Sequence, residues 1–435
     1  MKNISRRNFL AKGTAFSALA STIQFLPSRI LAKDATAPSN TINVACFGTG
    51  GIAKGHLQYL ASSPRTRLMA LCDVDQKKLN SSKAMVDAAA KKNKNVAFRE
   101  VDVYEEYMDI LGRDDIDAVW ICTPDHWHVQ MAVSCLLRGK AVYVEKPISL
   151  TVEEGKILVD VVKKTNGVLQ NGSQQRSTEQ FRVAAELVRN GYLGKMKRID
   201  VSIGQFPEEP KNLKEEPIPA GFNYDKWLGQ TPYFPYNAQR VKGQYSGGWR
   251  CFLEYGARKE GDWGAHHYDI VQWALNRDAS GPCEFHPENT NGEPLRHFKY
   301  DTGETVYVNN PEVKGQTIRF TGEEASITVN RSMISCTKPE LLKMPLKKSD
   351  QRLQVSVNDH RGDLLNAFAY GHKNITPASV GHRTATVCQL MSIARRTNES
   401  FKWDAKTETI SQGSNTVKSM LSRPRRAPYF IETKA

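Results

Sequence analysis

Thr41-Ile42-Asn43-Val44-Ala45-Cys46-Phe47-Gly48-Thr49-Gly50-Gly51-Ile52-Ala53 reads as a short apolar strand that runs straight into a glycine turn. The turn fits G-x-G-x-x-G/A, and helical sequence follows it to residue 62. In such a unit Gly48 permits the tight turn, Gly50 lets the backbone approach a pyrophosphate, and the small Ala53 lets helix and strand pack closely. The helix N-terminus adds free N–H groups and the positive end of a dipole. Outward from this point, strands at 67–72, 118–122 and 141–144 alternate with helices at 75–91 and 125–138. That rhythm predicts an α/β domain with a doubly wound parallel sheet, its ligand lying beyond the carboxyl ends of the strands.

Three further signals stand at that edge. Asp73 closes the second strand, where a carboxylate accepts hydrogen bonds from an adenosine ribose and repels the 2′-phosphate that distinguishes NADP from NAD. Thr123-Pro124-Asp125-His126-Trp127-His128 follows one later strand and Glu145-Lys146-Pro147 another. Pro147 removes a backbone donor and stiffens the turn, which aims Lys146 at the crevice. His126 and His128 lack a third ligand at metal-binding spacing, and no metal is expected.

In the second half, 197–204 and 317–331 alternate apolar and polar residues with a turn at Gly322. They predict strands of an open, mostly antiparallel sheet in an α+β domain. Helices are expected at 359–371 and 381–397. The loop-rich stretch 205–255 carries Trp227, Tyr233, Tyr236, Tyr245, Trp249 and Tyr255. These aromatics suit either stacking on sugar rings or packing against the sheet.

The glycine turn, Asp73, T-P-D-H-W-H and E-K-P together resemble the Gfo/Idh/MocA oxidoreductases, of the glucose-fructose oxidoreductase and inositol dehydrogenase type. The likeness extends through Asn171-Gly172-Ser173-Gln174-Gln175-Arg176, Gly261-Asp262-Trp263-Gly264-Ala265-His266-His267-Tyr268-Asp269 and Gly381-His382-Arg383-Thr384-Ala385, and so covers residues 41–430. It implies a Rossmann domain at 38–165, an α+β substrate and oligomerisation domain at 166–435, and a homodimer or homotetramer. It implies NAD held by Gly48, Gly50, Gly51, Ile52, Asp73, Asp125, His126, Trp127, His128, Glu145, Lys146 and Asn171. Arg176, His267 and Tyr268 are expected toward substrate.

Removing a hydride from an alcohol requires a base for the hydroxyl proton and a group to hold the forming alkoxide. Asp262 and His266 are four apart, so on one helix they share a face and pair, which makes His266 the expected base. Lys146 is expected to stabilise the negative charge on the substrate oxygen. The family's catalytic roles fall on these same three positions. For His267 a substrate-binding and a structural role stay open, and for His382 a structural one is favoured.

The chain has 435 residues, with 60 basic and 46 acidic side chains and a net charge of +14. The pair Arg6-Arg7 within Ser5-Arg6-Arg7-Asn8-Phe9-Leu10, ahead of an apolar stretch, reads as a twin-arginine export signal over 1–32, cleaved after Ala32. Its loss removes Lys2, Arg6, Arg7, Lys12 and Arg29 and leaves a charge of about +9. No basic stripe interleaved with aromatics points to nucleic acid, and no other segment is apolar enough to span a membrane. Cys46, Cys72, Cys122 and Cys135 lie in apolar runs and read as buried free thiols. The expectation is a periplasmic, NAD-dependent oxidoreductase acting on a hydroxyl of a small carbohydrate, with its cofactor retained because the periplasm holds no free NAD pool. A glycoside hydrolase or lyase working through a transient keto-sugar is the alternative, although exported glycosidases of the family differ at E-K-P and D-W-G-A-H-H. A non-catalytic NAD-binding regulator is disfavoured by Lys146, Asp262 and His266.

Overall fold

The computed structural model describes residues 41–433, apart from 94–96, 206, 245–246, 291, 355 and 357–358. The expected export signal at 1–32 lies outside the described residues, as do residues 38–40 of the expected first domain and Tyr245.

Six strands, β1 (Ile42–Phe47), β2 (Thr66–Cys72), β3 (Asp102–Tyr104), β4 (Ala118–Ile121), β5 (Ala141–Val144) and β6 (Leu169–Asn171), form an all-parallel sheet in the order 3-2-1-4-5-6. Every residue of β1, β4, β5 and β6 is buried, as a sheet covered by helices on both faces requires. Leu57, Leu60, Leu79, Trp120 and Tyr143 fill one side, and Phe47, Tyr107, Ile121, Leu136 and Leu158 the other. The strand order reverses between β1 and β4, so the crevice opens where the connections from their carboxyl ends diverge to opposite faces.

The sequence pattern missed β3 and β6, of three residues each, because a run that short shows no periodicity. β6 pairs with β5 and carries the parallel sheet past the boundary drawn at residue 165. The helix expected at 125–138 starts as a 3-10 turn, Asp125–Trp127, and becomes α-helical only over His128–Leu137.

In the second half, β7 (Met196–Ser202), β10 (Glu284–His286), β11 (His297–Lys299), β12 (Thr305–Val308), β13 (Thr317–Gly322), β14 (Ser326–Val329), β15 (Ile334–Cys336), β16 (Phe401–Asp404) and β17 (Thr409–Gln412) form one sheet in the order 15-14-13-7-12-11-10-16-17. Only β7 and β12 run parallel, so the sheet is mostly antiparallel. Between β7 and β10, Gly243–Gln244 and Gly247–Gly248 (β8 and β9) form a small ladder of their own. The helices Glu179–Arg189, Gly264–Ala274 and Ala378–Thr397 cover one face of the large sheet, where Phe181, Ile270, Trp273 and Leu390 meet Ile199, Phe285, Phe298 and Phe320. The opposite face is polar, with Arg198, Asp200, Asn310 and Arg319 around an open hollow. The long helix Ala378–Thr397 serves both halves, since Ala378 and Ala385 belong to the first core and Val387 and Leu390 to the second. All eight cysteines are free thiols, and Cys46, Cys72, Cys122 and Cys135 are buried.

Candidate active site

Gly48 has φ +82°, and an added Cβ would lie 2.8 Å from backbone atoms of Cys122 and Thr123. Only glycine accepts both conditions. Beyond it an added Cβ on Gly50 or Gly51 would meet nothing within 4 Å. The helix Ala53–Ser62 then starts with no side-chain cap and no acidic residue in its first turn. Its leading N–H groups therefore face an open cradle, as an anionic pyrophosphate needs. Thr49 donates from its N–H and its Oγ1 to Asp73 Oδ2, at 2.7 and 2.8 Å, and this ties the carboxylate to the glycine turn. The cradle and the carboxylate at the end of β2 fit an NAD-type dinucleotide.

The cradle is the floor of a cleft of ≈ 580 Å³ lined by Gly48, Gly50, Gly51, Ile52, Asp73, Asp125, Trp127, His128, Glu145, Lys146 and Asp262, among others. Two segments from the second half of the chain wall its far side. Gln76 N–H donates to Gly221 O and Asn223 N–H to Val74 O, both at 2.9 Å, and Lys226 pairs with Glu105 and Glu106 at 3.2 Å. The segment 423–432 closes the same edge. Tyr429 donates to Asp225 Oδ2 at 3.0 Å and sets its ring edge-on to Trp127 at 5.7 Å, while Glu432 accepts from Arg138 at 2.9 Å and from Ser134 at 3.3 Å.

Lys146 crosses from the first half to the second, where its Nζ donates to Asp262 Oδ1 and to the Asp262 main-chain oxygen, both at 2.9 Å. Lys259 Nζ lies 3.5 Å and Arg250 Nε 3.8 Å from the same carboxylate. Burial works to raise the Asp262 carboxyl, but the Lys146, Arg250 and Lys259 charges hold it below its ordinary value. The site therefore presents an ammonium and an ionised carboxylate to the cleft. Arg258, which lines the cleft beside Asp262, has φ +51° and donates to Cys251 O and Pro207 O at 3.1 and 3.0 Å, joining the 3-10 turn Trp249–Cys251 to the segment at Pro207.

The expected Asp262–His266 pair is absent among the described residues. Its premise was a single helix, but Trp263 separates helix Arg258–Asp262 from helix Gly264–Ala274, and the Asp262 carboxylate turns to Lys146 instead. His266 is buried with its Nδ1 unpartnered. Burial first, then the Lys146, Arg331, His267 and His360 charges, push its pKa well below the ordinary histidine value, so its ring is neutral.

Other expected positions lie in the interior. Arg176 is 1% exposed and chelates Asp269 and Asp278 with 2.8–2.9 Å bonds, which makes it an internal clamp and not a substrate contact. Tyr268 is fully buried against Phe298. His267 is fully buried between Trp263 and Phe181. Asn171 lies beneath the cleft, donating to Val144 O at 3.2 Å, and does not line it. His126 does not line it either, since its ring nitrogens face Trp227 O and Tyr255 O. His128 borders the cleft with its ring nitrogens at Pro147 O and Thr123 O. His382 pairs with Glu408 at 3.0 Å. Of the aromatics at 205–255, Trp227, Tyr236, Trp249 and Tyr255 pack in a common cluster, whereas Tyr233 is exposed.

The buried histidines set a pH response. Burial lowers His126 and His267 to about 3 and His360 to about 4, and His266 falls with them. Each ring stays neutral when folded but takes up a proton below about pH 6.5 once unfolded. Between those values the unfolded chain binds more protons, so stability rises with pH, by up to about 1.4 kcal/mol per pH unit for each ring. Thermal unfolding midpoints are expected to climb from pH 4.5 to 6.5 and then level off. A flat profile across that window would show that these rings are not buried neutral.

Residues 42–173 match the family described as "Oxidoreductase family, NAD-binding Rossmann fold" and residues 186–431 the one described as "Oxidoreductase family, C-terminal alpha/beta domain". A glycosyl hydrolase family 109 protein of Shewanella baltica strain OS185 is 30% identical over 211 residues, covering 45% of this chain and 45% of that protein. An alpha-N-acetylgalactosaminidase of Shewanella oneidensis is 28% identical over 215 residues, 45% of each. The chain thus spans about half the length of the curated relatives it matches. Among solved structures, the WlbA dehydrogenase of Bordetella pertussis, crystallised with NADH and UDP-GlcNAcA, superposes with a TM-score of 0.59 at 16% identity, covering 84% of this chain and 99% of that one. The aldose-aldose oxidoreductase of Caulobacter crescentus superposes at 0.56 with 17% identity, covering 83% and 99%. These likenesses show the shared fold.

Proposed function

The chain belongs to the Gfo/Idh/MocA oxidoreductase family, and from that premise we propose that it is an NAD-dependent oxidoreductase acting on a hydroxyl of a sugar, glycoside or cyclitol, with its cofactor retained between turnovers. The observation that carries the proposal is the Lys146–Asp262 pair at 2.9 Å, standing on a cleft whose floor is the glycine cradle and Asp73. Gly48 to Ile52 would hold the pyrophosphate, Asp73 the adenosine ribose and Glu145 the nicotinamide half, and the cofactor would supply hydride exchange with the substrate carbon.

The protein's own groups handle the proton. Lys146 Nζ donates to the substrate oxygen and stabilises its negative charge, while the ionised Asp262 holds that ammonium in place. We assign the hydroxyl proton to His266, whose Nδ1 carries no hydrogen bond, although it is not among the residues lining the cleft and burial with the Lys146 and Arg331 charges opposes its protonation. The segments at 221–226 and 423–432 that wall the cleft support retention of the nucleotide. Export by the twin-arginine route is part of the same proposal, resting on Ser5 to Leu10, as is assembly of a homodimer or homotetramer through the open polar face of the large sheet.

A second reading, a glycoside hydrolase or lyase that proceeds through a transient keto-sugar, draws support from the glycosyl hydrolase family 109 relatives. One experiment separates the two. Protein purified without added nucleotide is analysed by mass spectrometry for NAD(H), then incubated with a panel of sugars, cyclitols and aryl glycosides. Keto-sugar as the accumulating product is expected. Released aglycone with no net oxidation supports the second reading, and neither product with any member of the panel overturns both.

A further inference from the structure

His56 lies in the first turns of the helix that follows the glycine cradle and is fully buried. Its Nε2 is 2.8 Å from Glu145 Oε1, and its Nδ1 accepts from Arg361 Nε at 2.9 Å. Arg361 stands on the helix His360–Tyr370, in the second half of the chain. A guanidinium N–H only donates, so Nδ1 is the acceptor and the ring proton sits on Nε2, where it is given to Glu145. Gln174 Nε2 donates to the same Oε1 at 2.7 Å. Both bonds fall on one oxygen, and none of the hydrogen bonds among the described residues falls on Oε2, although Glu145 lines the cleft.

Burial raises the Glu145 carboxyl, but the His56 hydrogen bond and the neighbouring charges outweigh it and hold the group below its ordinary value. The chain from Arg361 to His56 to Glu145 is not a proton wire, because the arginine end does not give up a proton at physiological pH.

We propose that His56 and Arg361 are positioning residues for the nucleotide: they pin Glu145 by Oε1 so that Oε2 stands as a fixed, ionised acceptor for a ribose hydroxyl in the cleft. The proposal rests on the reading of this cleft as an NAD site. It also makes one carboxylate at the end of β5 depend on a helix from the other half of the chain, so the nucleotide seat is complete only when the two halves are docked.

The test compares His56→Leu, His56→Gln and Arg361→Met in the full chain freed of nucleotide, reading the NAD dissociation constant, the KM for NAD, kcat and the unfolding midpoint. A glutamine amide accepts with its oxygen and donates with its nitrogen, so it reproduces both bonds, and a leucine reproduces neither. His56→Leu is expected to weaken NAD binding about tenfold or more, as loss of a charge-assisted hydrogen bond does, and to raise KM for NAD more than it lowers kcat. His56→Gln is expected to recover most of that affinity, and Arg361→Met to weaken binding in the same direction as His56→Leu. If His56→Leu does not fold, Arg361→Met decides. NAD affinity unchanged in Arg361→Met, or equal losses in His56→Leu and His56→Gln, overturns the proposal. Failure of the unaltered protein to bind NAD overturns the underlying reading instead.

Discussion

Lys146→Met is expected to lower turnover by about a thousandfold, the loss typical when a donor to a developing oxyanion is removed, while nucleotide binding and folding survive. Lys146 supplies the ammonium nearest the reacting oxygen in the proposed site, and its two 2.9 Å bonds to Asp262 hold it there. Breaking a buried ion pair by deleting one partner often costs about 3–5 kcal/mol, a large part of a domain's whole stability. Here Arg250 and Lys259 still face Asp262 at 3.8 and 3.5 Å, so the remaining carboxylate keeps company and the stability loss is expected to stay near 1–2 kcal/mol. Initial rates with saturating nucleotide, read beside a thermal unfolding midpoint, separate the two effects. Turnover within tenfold of the unaltered protein would remove Lys146 from the chemistry.

The second large effect is on the fold. Gly48→Ala places a methyl group 2.8 Å from the Cys122 carbonyl and the Thr123 nitrogen, on a residue with φ +82°. The left-handed conformation alone costs roughly 1–2 kcal/mol for an L-residue. The clash adds to it because the obstructing atoms are backbone, in the residues that directly follow β4, and not the flexible end of a side chain. A total above about 3 kcal/mol is expected, in the range of the most damaging core substitutions, with an unfolding midpoint lowered by several degrees and NAD binding lost. Gly50→Ala is the control, since its Cβ meets nothing within 4 Å; it is expected to keep the midpoint and lose affinity only. Equal midpoints for Gly48→Ala and the unaltered protein would show that the turn is more pliable than its geometry.

What the sequence made legible, and what it hid, divide along physical lines. β1, β4 and β5 are entirely buried and, Asn43 apart, apolar because both faces of a parallel sheet are covered, so they stood out from the surrounding helices. Gly48, Asp73 and Lys146 fall on the cleft where the sequence put them because the turn that places each of them is local. Arg176, His267 and Tyr268 sit in motif-like neighbourhoods, yet their partners Asp269, Asp278, Phe181 and Phe298 come from other elements. A linear pattern carries no information about such pairings. The Asp262–His266 expectation failed for a related reason: four-residue spacing has meaning only within an unbroken helix, and the glycines at 261 and 264 that flank the break at Trp263 were a signal against one. Thr49 holding Asp73 was the one omission with a usable signal, since a threonine inside a glycine turn is a ready hydrogen-bond donor to the next strand end. His56 and Arg361 are 305 positions apart and gave none.

The cleft is walled by Gly48 near one end of the described chain and by Tyr429 and Glu432 near the other. Translation therefore makes the floor of the site first, and the seam between Tyr429, Asp225 and Trp127 forms only after the glycine cradle, Lys146 and Asp262 have been made. Vectorial synthesis thus gives the cleft an order of assembly, floor before walls.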